Sequence, residues 1–91
     1  MKPLAVAIPA VLADIIRAAP ASPGKIEFAW RATVGPAVAR VTRVRLEGRR
    51  LLVESQTPAW TREVARSSPV ILRKMNRLLG ADAIEEISVR A

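Results

Sequence analysis

Residues 43–55 read Arg43-Val44-Arg45-Leu46-Glu47-Gly48-Arg49-Arg50-Leu51-Leu52-Val53-Glu54-Ser55. Polar and apolar residues alternate from Arg43 to Glu47, the period of a strand with one wet face. Gly48-Arg49 reads as a turn, and Arg50 to Ser55 as the return strand. Val44 and Leu46 share one face of the first strand, with Arg43, Arg45 and Glu47 opposite. On the return strand Leu51 and Val53 share a face and Leu52 lies on the other. A hairpin with one apolar face needs a cover, and the flanking segments must supply it as helices.

Upstream, Pro9 opens a first expected helix to about Ala19, with Leu12, Ile15, Ile16 and Ala19 as its apolar stripe. Pro20 stops it. Ser22 is a good cap for a second helix from Pro23 to Val34, because its hydroxyl can take a free N–H and Pro23 gives up none that is needed. Ile26, Trp30, Thr33 and Val34 fall on one face of that helix. Gly35 ends it, and Pro36 begins a short turn to Arg40 with Val38 and Val41 inward.

Downstream, Thr57-Pro58 repeats the cap-plus-proline start, with Trp60 early in the new helix. Ser68-Pro69 reads as a further start, for a helix to Leu79 that buries Ile71, Leu72, Met75, Leu78 and Leu79 and ends at Gly80. Residues 84–90 read as an edge strand with Ile87 and Val89 inward and Ile84 in the approach. The expected order is α-α-β-β-α(α)-β, an α+β class, in one domain spanning residues 1–91.

Composition narrows the chemistry. The chain has 91 residues, no Cys and no His. Disulfides, thiolate metal sites and histidine bases are therefore excluded. The four glycines, 24, 35, 48 and 80, are isolated, so no Gly-rich phosphate loop occurs and no G-x-x-G clamp of the KH type. No catalytic residue, metal ligand or cofactor site is expected. The start, from Met1 to Ala13, has one lysine and then apolar residues. Asp14 and Arg17 interrupt the run and two prolines break it, so it reads as the approach to an amphipathic helix rather than a signal peptide. No stretch approaches the ~20 apolar residues of a membrane span. A cytoplasmic protein is expected, with no membrane partner and no small-molecule substrate.

The net charge of +7 points to a polyanionic partner. Arginine outnumbers lysine 12 to 3, a bias that a GC-rich genome also produces. Between Arg31 and Arg50 stand six arginines, with Arg40, Arg43, Arg45, Arg49 and Arg50 around the hairpin, against one acid, Glu47. Guanidinium forks suit phosphate oxygens. The alternative is a solvated face that protects a sheet edge. A second cluster is Arg62, Arg66, Arg73, Lys74 and Arg77. Positions 62 and 66 share a helix face, as do 73 and 77, but with a break at Ser67-Ser68-Pro69 the two pairs need not align, and the cluster reads first as the wet side of two amphipathic helices. Trp30 and Trp60 read as packing anchors on either side of the hairpin rather than as stacking platforms.

The ordered pattern resembles a known family. Its pieces are Trp30-x3-Val34-Gly35-Pro36-x-Val38-Ala39-x2-Thr42, the hairpin ending Leu51-Leu52-Val53-Glu54-Ser55, Pro58-Ala59-Trp60-x2-Glu63-Val64, Leu72-x2-Met75-Asn76-x-Leu78-Leu79-Gly80, and Ile84-x2-Ile87-x-Val89-Arg90. Together they look like the DciA family, over roughly residues 8 to 90. The resemblance implies a KH-like domain, with helices packed on one face of a three-stranded sheet. It also implies a role in bacterial DNA replication as a loader or operator of the DnaB-type replicative helicase. Members bind DNA, contact the helicase and carry no ATPase. Single-stranded or forked DNA is the expected form. Two features depart from many relatives: a His near Val41 is absent, and these 91 residues do not include the basic, flexible extension that many carry beyond the domain. Two other functions stay open, a general KH-type single-stranded DNA or RNA module and a protein-only interaction domain.

Overall fold

The structure is a computed structural model that describes residues 9–91. Of the stretch weighed as a leader, residues 1–8 lie outside the described residues. The elements are α1 (Ala10–Ala18), α2 (Pro23–Val34), α3 (Pro36–Arg40), β1 (Thr42–Glu47), β2 (Arg50–Ser55), α4 (Pro58–Leu79) and β3 (Glu86–Arg90). This is the expected α+β class. The sheet order is β1-β2-β3, with β1 antiparallel and β3 parallel to β2.

The hairpin forms where the alternation put it. Glu47 pairs with Arg50 across Gly48-Arg49. Gly48 has φ +60° and Arg49 does not share the positive sign, the pattern of a type II′ turn whose twist matches the strands it joins. Leu51 and Val53 are fully buried, with Val44 and Leu46 half-buried beside them. Helices α2 and α4 pack on this inner face, and α3 sits beside β1. Ile84 is buried in the approach to β3, as the sequence suggests, although the strand itself starts at Glu86.

The caps behave as their chemistry requires. Ser22 Oγ accepts from Lys25 N–H at 3.1 Å, and Thr57 Oγ1 accepts from Trp60 N–H at 3.2 Å. Gly35 has φ +87° and lets the chain pass from α2 into α3 within one residue. Two cations close helix C-termini. Arg17 donates from Nε and Nη2 to the Arg77 carbonyl of α4, at 3.0 and 2.6 Å. Lys25 Nζ donates to the carbonyls of Arg17 and Ala19, at 3.1 and 2.9 Å. Both satisfy carbonyls that the helix cannot and place positive charge at its negative end.

Trp30 is 2% exposed and is a packing anchor, as expected. Trp60 is half-buried against the same core.

Two expectations are corrected. No helix starts at Ser68-Pro69: α4 runs unbroken through Pro69 for 22 residues. A proline interrupts a helix by losing one N–H and crowding the carbonyl four residues back. Pro69 and Ala65 are both exposed, so the orphaned carbonyl belongs to the wet side of the helix. The dry side carries Val64, Ile71, Met75 and Leu78 without interruption, and its burial holds the two halves in line. In α1, only Ile16 is buried, and Ile15 is 63% exposed. That helix meets α4 along a narrow seam, too narrow to cover the whole apolar stripe.

Candidate nucleic-acid interface

The continuity of α4 decides how its cations are arranged. At 100° per residue, taking Arg62 as zero, Arg66 lies at 40°, Arg73 at 20° and Arg77 at 60°, so all four fall within an arc of about 60°. The buried residues of the helix, Val64 to Leu78, lie on the opposite side. All four arginines are exposed. With a rise of about 1.5 Å per residue, they form a ridge roughly 22 Å long on the outside of the helix layer. Arg66 meets Glu63 at 3.5 Å; Arg62, Arg73 and Arg77 have no side-chain partner among the described residues. Lys74 stands to one side, half-buried, where it lines the groove between α1 and α4 together with Arg77.

The hairpin arginines have different surroundings. The cross-strand register places Arg43 beside Glu54 and Glu54 beside Arg90. It places Glu47 beside Arg50 and Arg50 beside Glu86. Arg45 and Leu52 occupy the row between. The outer face of the sheet is therefore a chequerboard of four arginines and three glutamates. Arg45 is paired with Glu47 at 3.0 Å, Arg50 with Glu86, and Arg90 with Glu54 at 3.6 Å. Arg49 meets Glu85 at 3.4 Å and donates from Nε to the Asp82 carbonyl at 2.9 Å. Exposed pairs of this kind contribute only about 0–1 kcal/mol each to stability. Their larger effect is to cancel most of the field of the face.

Arg40 and Arg43, with Arg31 of α2, have no such partner among the described residues. They line an open groove of about 900 Å³ that runs from α2 and α3 past β1 and on over the outer face of the sheet, where Arg50, Leu52, Glu54, Ser88 and Arg90 also line it. Arg31 stands outside the contacts expected from sequence, because nothing local shows that α2 brings it to the same groove as Arg43. The ten candidate cations thus divide into the aligned ridge of four on α4 with Lys74 beside it, the three glutamate-paired arginines 45, 49 and 50, and Arg40 and Arg43, which have no ion-pair partner among the described residues.

With this geometry in place, comparison with known proteins adds one positive finding. Residues 3–89 match the family model described as Dna[CI] antecedent, DciA. The chain belongs to the DciA family. No curated protein and no solved structure matches it. DciA is a family of loaders and adaptors, not a known enzyme family, and membership suggests a helicase-loading role. Among the described residues no helix is long and apolar enough to cross a membrane.

Proposed function

We propose that this DciA chain is a non-catalytic adaptor that binds a DnaB-type replicative helicase and DNA and helps bring one onto the other, in the cytoplasm at the nucleoid. The family match over nearly the whole chain carries the helicase half of this reading. The DNA half is supported by the α4 ridge. Four arginines spaced along one helix face offer phosphates a line of forked donors, with Glu63 at Arg66 and Asp14 in the groove that Arg77 borders. The sheet face is the weaker candidate, since Arg45, Arg49 and Arg50 would have to leave their carboxylates first. Single-stranded or forked DNA is the proposed form, because a narrow row of cations tracks one strand without reading bases.

A pull-down with the cognate replicative helicase, with and without a forked DNA, tests both halves. Retention of the helicase by the wild-type chain, and of the fork by the chain alone at low salt, is expected. Absence of helicase retention removes the adaptor reading. Helicase retention with no DNA retained leaves a protein-only interaction domain.

A further inference from the structure

β1 is an edge strand, and among the described residues nothing is paired along its outer side. The direction of its free groups follows from one bond. Gln56 N–H donates to the Val41 carbonyl at 3.1 Å, so the odd-numbered residues of this antiparallel ladder bond toward β2. Val44 and Leu46 therefore turn their N–H and C=O outward. Among the described residues no other group bonds to them. Exposed edges of this kind accept a further strand unless something blunts them. Here the edge borders the open groove, and four consecutive β1 residues, Thr42 to Arg45, line it. Pro36 and Ala39 give the groove an apolar side, while Arg31, Arg40 and Arg43 supply its unpaired charge.

We propose that this edge is a docking site for an extended acidic peptide segment of a partner protein, which adds to the sheet as a fourth strand beside β1. Main-chain bonds to Val44 and Leu46 would hold it, and its carboxylates would meet Arg31, Arg40 and Arg43. Charge and backbone geometry favour this occupant over a second copy. Antiparallel pairing of two copies across Val44 sets Arg43 of each opposite Arg45 of the other, a like-charge contact, and pairing across Leu46 sets Val44 opposite Gly48 in the turn, where the strand has ended. A nucleic acid has no backbone to complement the alternating N–H and C=O groups of the edge, whereas an extended peptide does. The site lies on a different surface from the α4 ridge and goes beyond the helicase reading, standing whichever protein carries the segment.

The test uses a fluorescein-labelled decapeptide of alternating glutamate and threonine, followed by anisotropy and by ¹⁵N–¹H shift mapping on the whole chain. Controls are the lysine-for-glutamate peptide, a fully N-methylated copy of the acidic peptide, and decathymidylate. The acidic peptide is expected to bind and to move the amide signals of Val44 and Leu46. N-methylation, which removes strand addition but keeps the charge, should weaken it at least about tenfold, the loss of one or two net hydrogen bonds. The Arg40→Gln/Arg43→Gln variant, whose native side chains have no hydrogen-bond or ion-pair partner among the described residues, should weaken it similarly. Four results would overturn the proposal: no binding at millimolar peptide, equal binding of the N-methylated copy, equal binding of the lysine peptide, or shifts confined to α4. Decathymidylate moving the Val44 and Leu46 signals as strongly would assign the groove to nucleic acid instead.

Discussion

The indole N–H of Trp30 donates to the hydroxyl of Thr42 at 2.9 Å, and the same hydroxyl donates onward to the Val38 carbonyl at 2.8 Å. One oxygen thus joins α2, α3 and the first residue of β1. The ring fills the core while its single polar atom fixes where the hairpin begins. Trp30→Ala is expected to cost about 3–5 kcal/mol in urea unfolding, as for other large core aromatics. Thr42→Val keeps the shape but orphans the indole N–H, and should cost about 1–3 kcal/mol. The Val38 carbonyl keeps its bond from Val41 N–H at 3.1 Å. A Trp30→Ala protein of unchanged stability would mean that the ring is not a core element.

Asn76 makes a second clamp of this kind. Its amide Nδ2 donates to the Ile84 carbonyl at 3.0 Å, and its Oδ1 accepts from Ile84 N–H at 2.8 Å. The side chain stands in for a strand partner and ties the end of α4 to the approach of β3. Asn76→Ala removes both bonds and is expected to cost about 2–3 kcal/mol, at roughly 1 kcal/mol or more per bond. Asn76→Asp keeps the acceptor but sets a carboxylate oxygen against the Ile84 carbonyl, so it should not restore the clamp. Hydrogen exchange at the Ile84 amide is the direct check, with protection lost in Asn76→Ala. Unchanged protection in that variant would rule the clamp out.

Pro69 offers a test of the continuous helix. Within a helix it costs about 3 kcal/mol relative to alanine. Pro69→Ala should therefore stabilise the chain, by about 1–3 kcal/mol, because the restored N–H can bond to the Ala65 carbonyl. If the chain instead broke at Ser68 and used Pro69 as a first helical residue, the same change would be neutral or destabilising. Chemical denaturation separates the two outcomes by sign.

Much of this was legible in the sequence, and the exceptions share a cause. The hairpin, the Ser22 and Thr57 caps, and the burial of Trp30, Ile71 and Met75 follow from local alternation, short-range capping and helical spacing. Pro69 misled because Ser-Pro is locally a start signal, whereas the buried row from Val64 to Leu78 is a tertiary constraint that overrides it. The partners of the hairpin arginines were hidden for a related reason. In the segment from Arg31 to Arg50 only Glu47 is acidic, but β3 lies parallel to β2 and delivers Glu86 to Arg50 from 36 residues away. No local pattern fixes that register. The consequence for the site is large, since it weakens the hairpin and favours the α4 ridge that the assumed break had divided.

The assignment of DNA to that ridge makes a comparison between variants. Reversing Arg62 and Arg73 to Glu, both exposed and without an ion-pair partner among the described residues, should reduce affinity for single-stranded DNA at least about tenfold, at roughly 1–2 kcal/mol for each guanidinium–phosphate pair removed. Circular dichroism and the helicase pull-down should not change. Arg45→Glu with Arg49→Glu should have a smaller effect on DNA binding. The reverse ranking would return the interface to the sheet.

The salt dependence of DNA affinity measures the ridge most directly. Each phosphate neutralised on a single strand contributes about −0.7 to the slope of log K against log salt, so four ridge arginines predict a slope near −3. In the Arg62→Gln/Arg66→Gln/Arg73→Gln/Arg77→Gln variant the slope should fall toward zero, with the fold intact by circular dichroism. A folded quadruple variant that keeps the wild-type slope would contradict the account and place the phosphates elsewhere on the molecule.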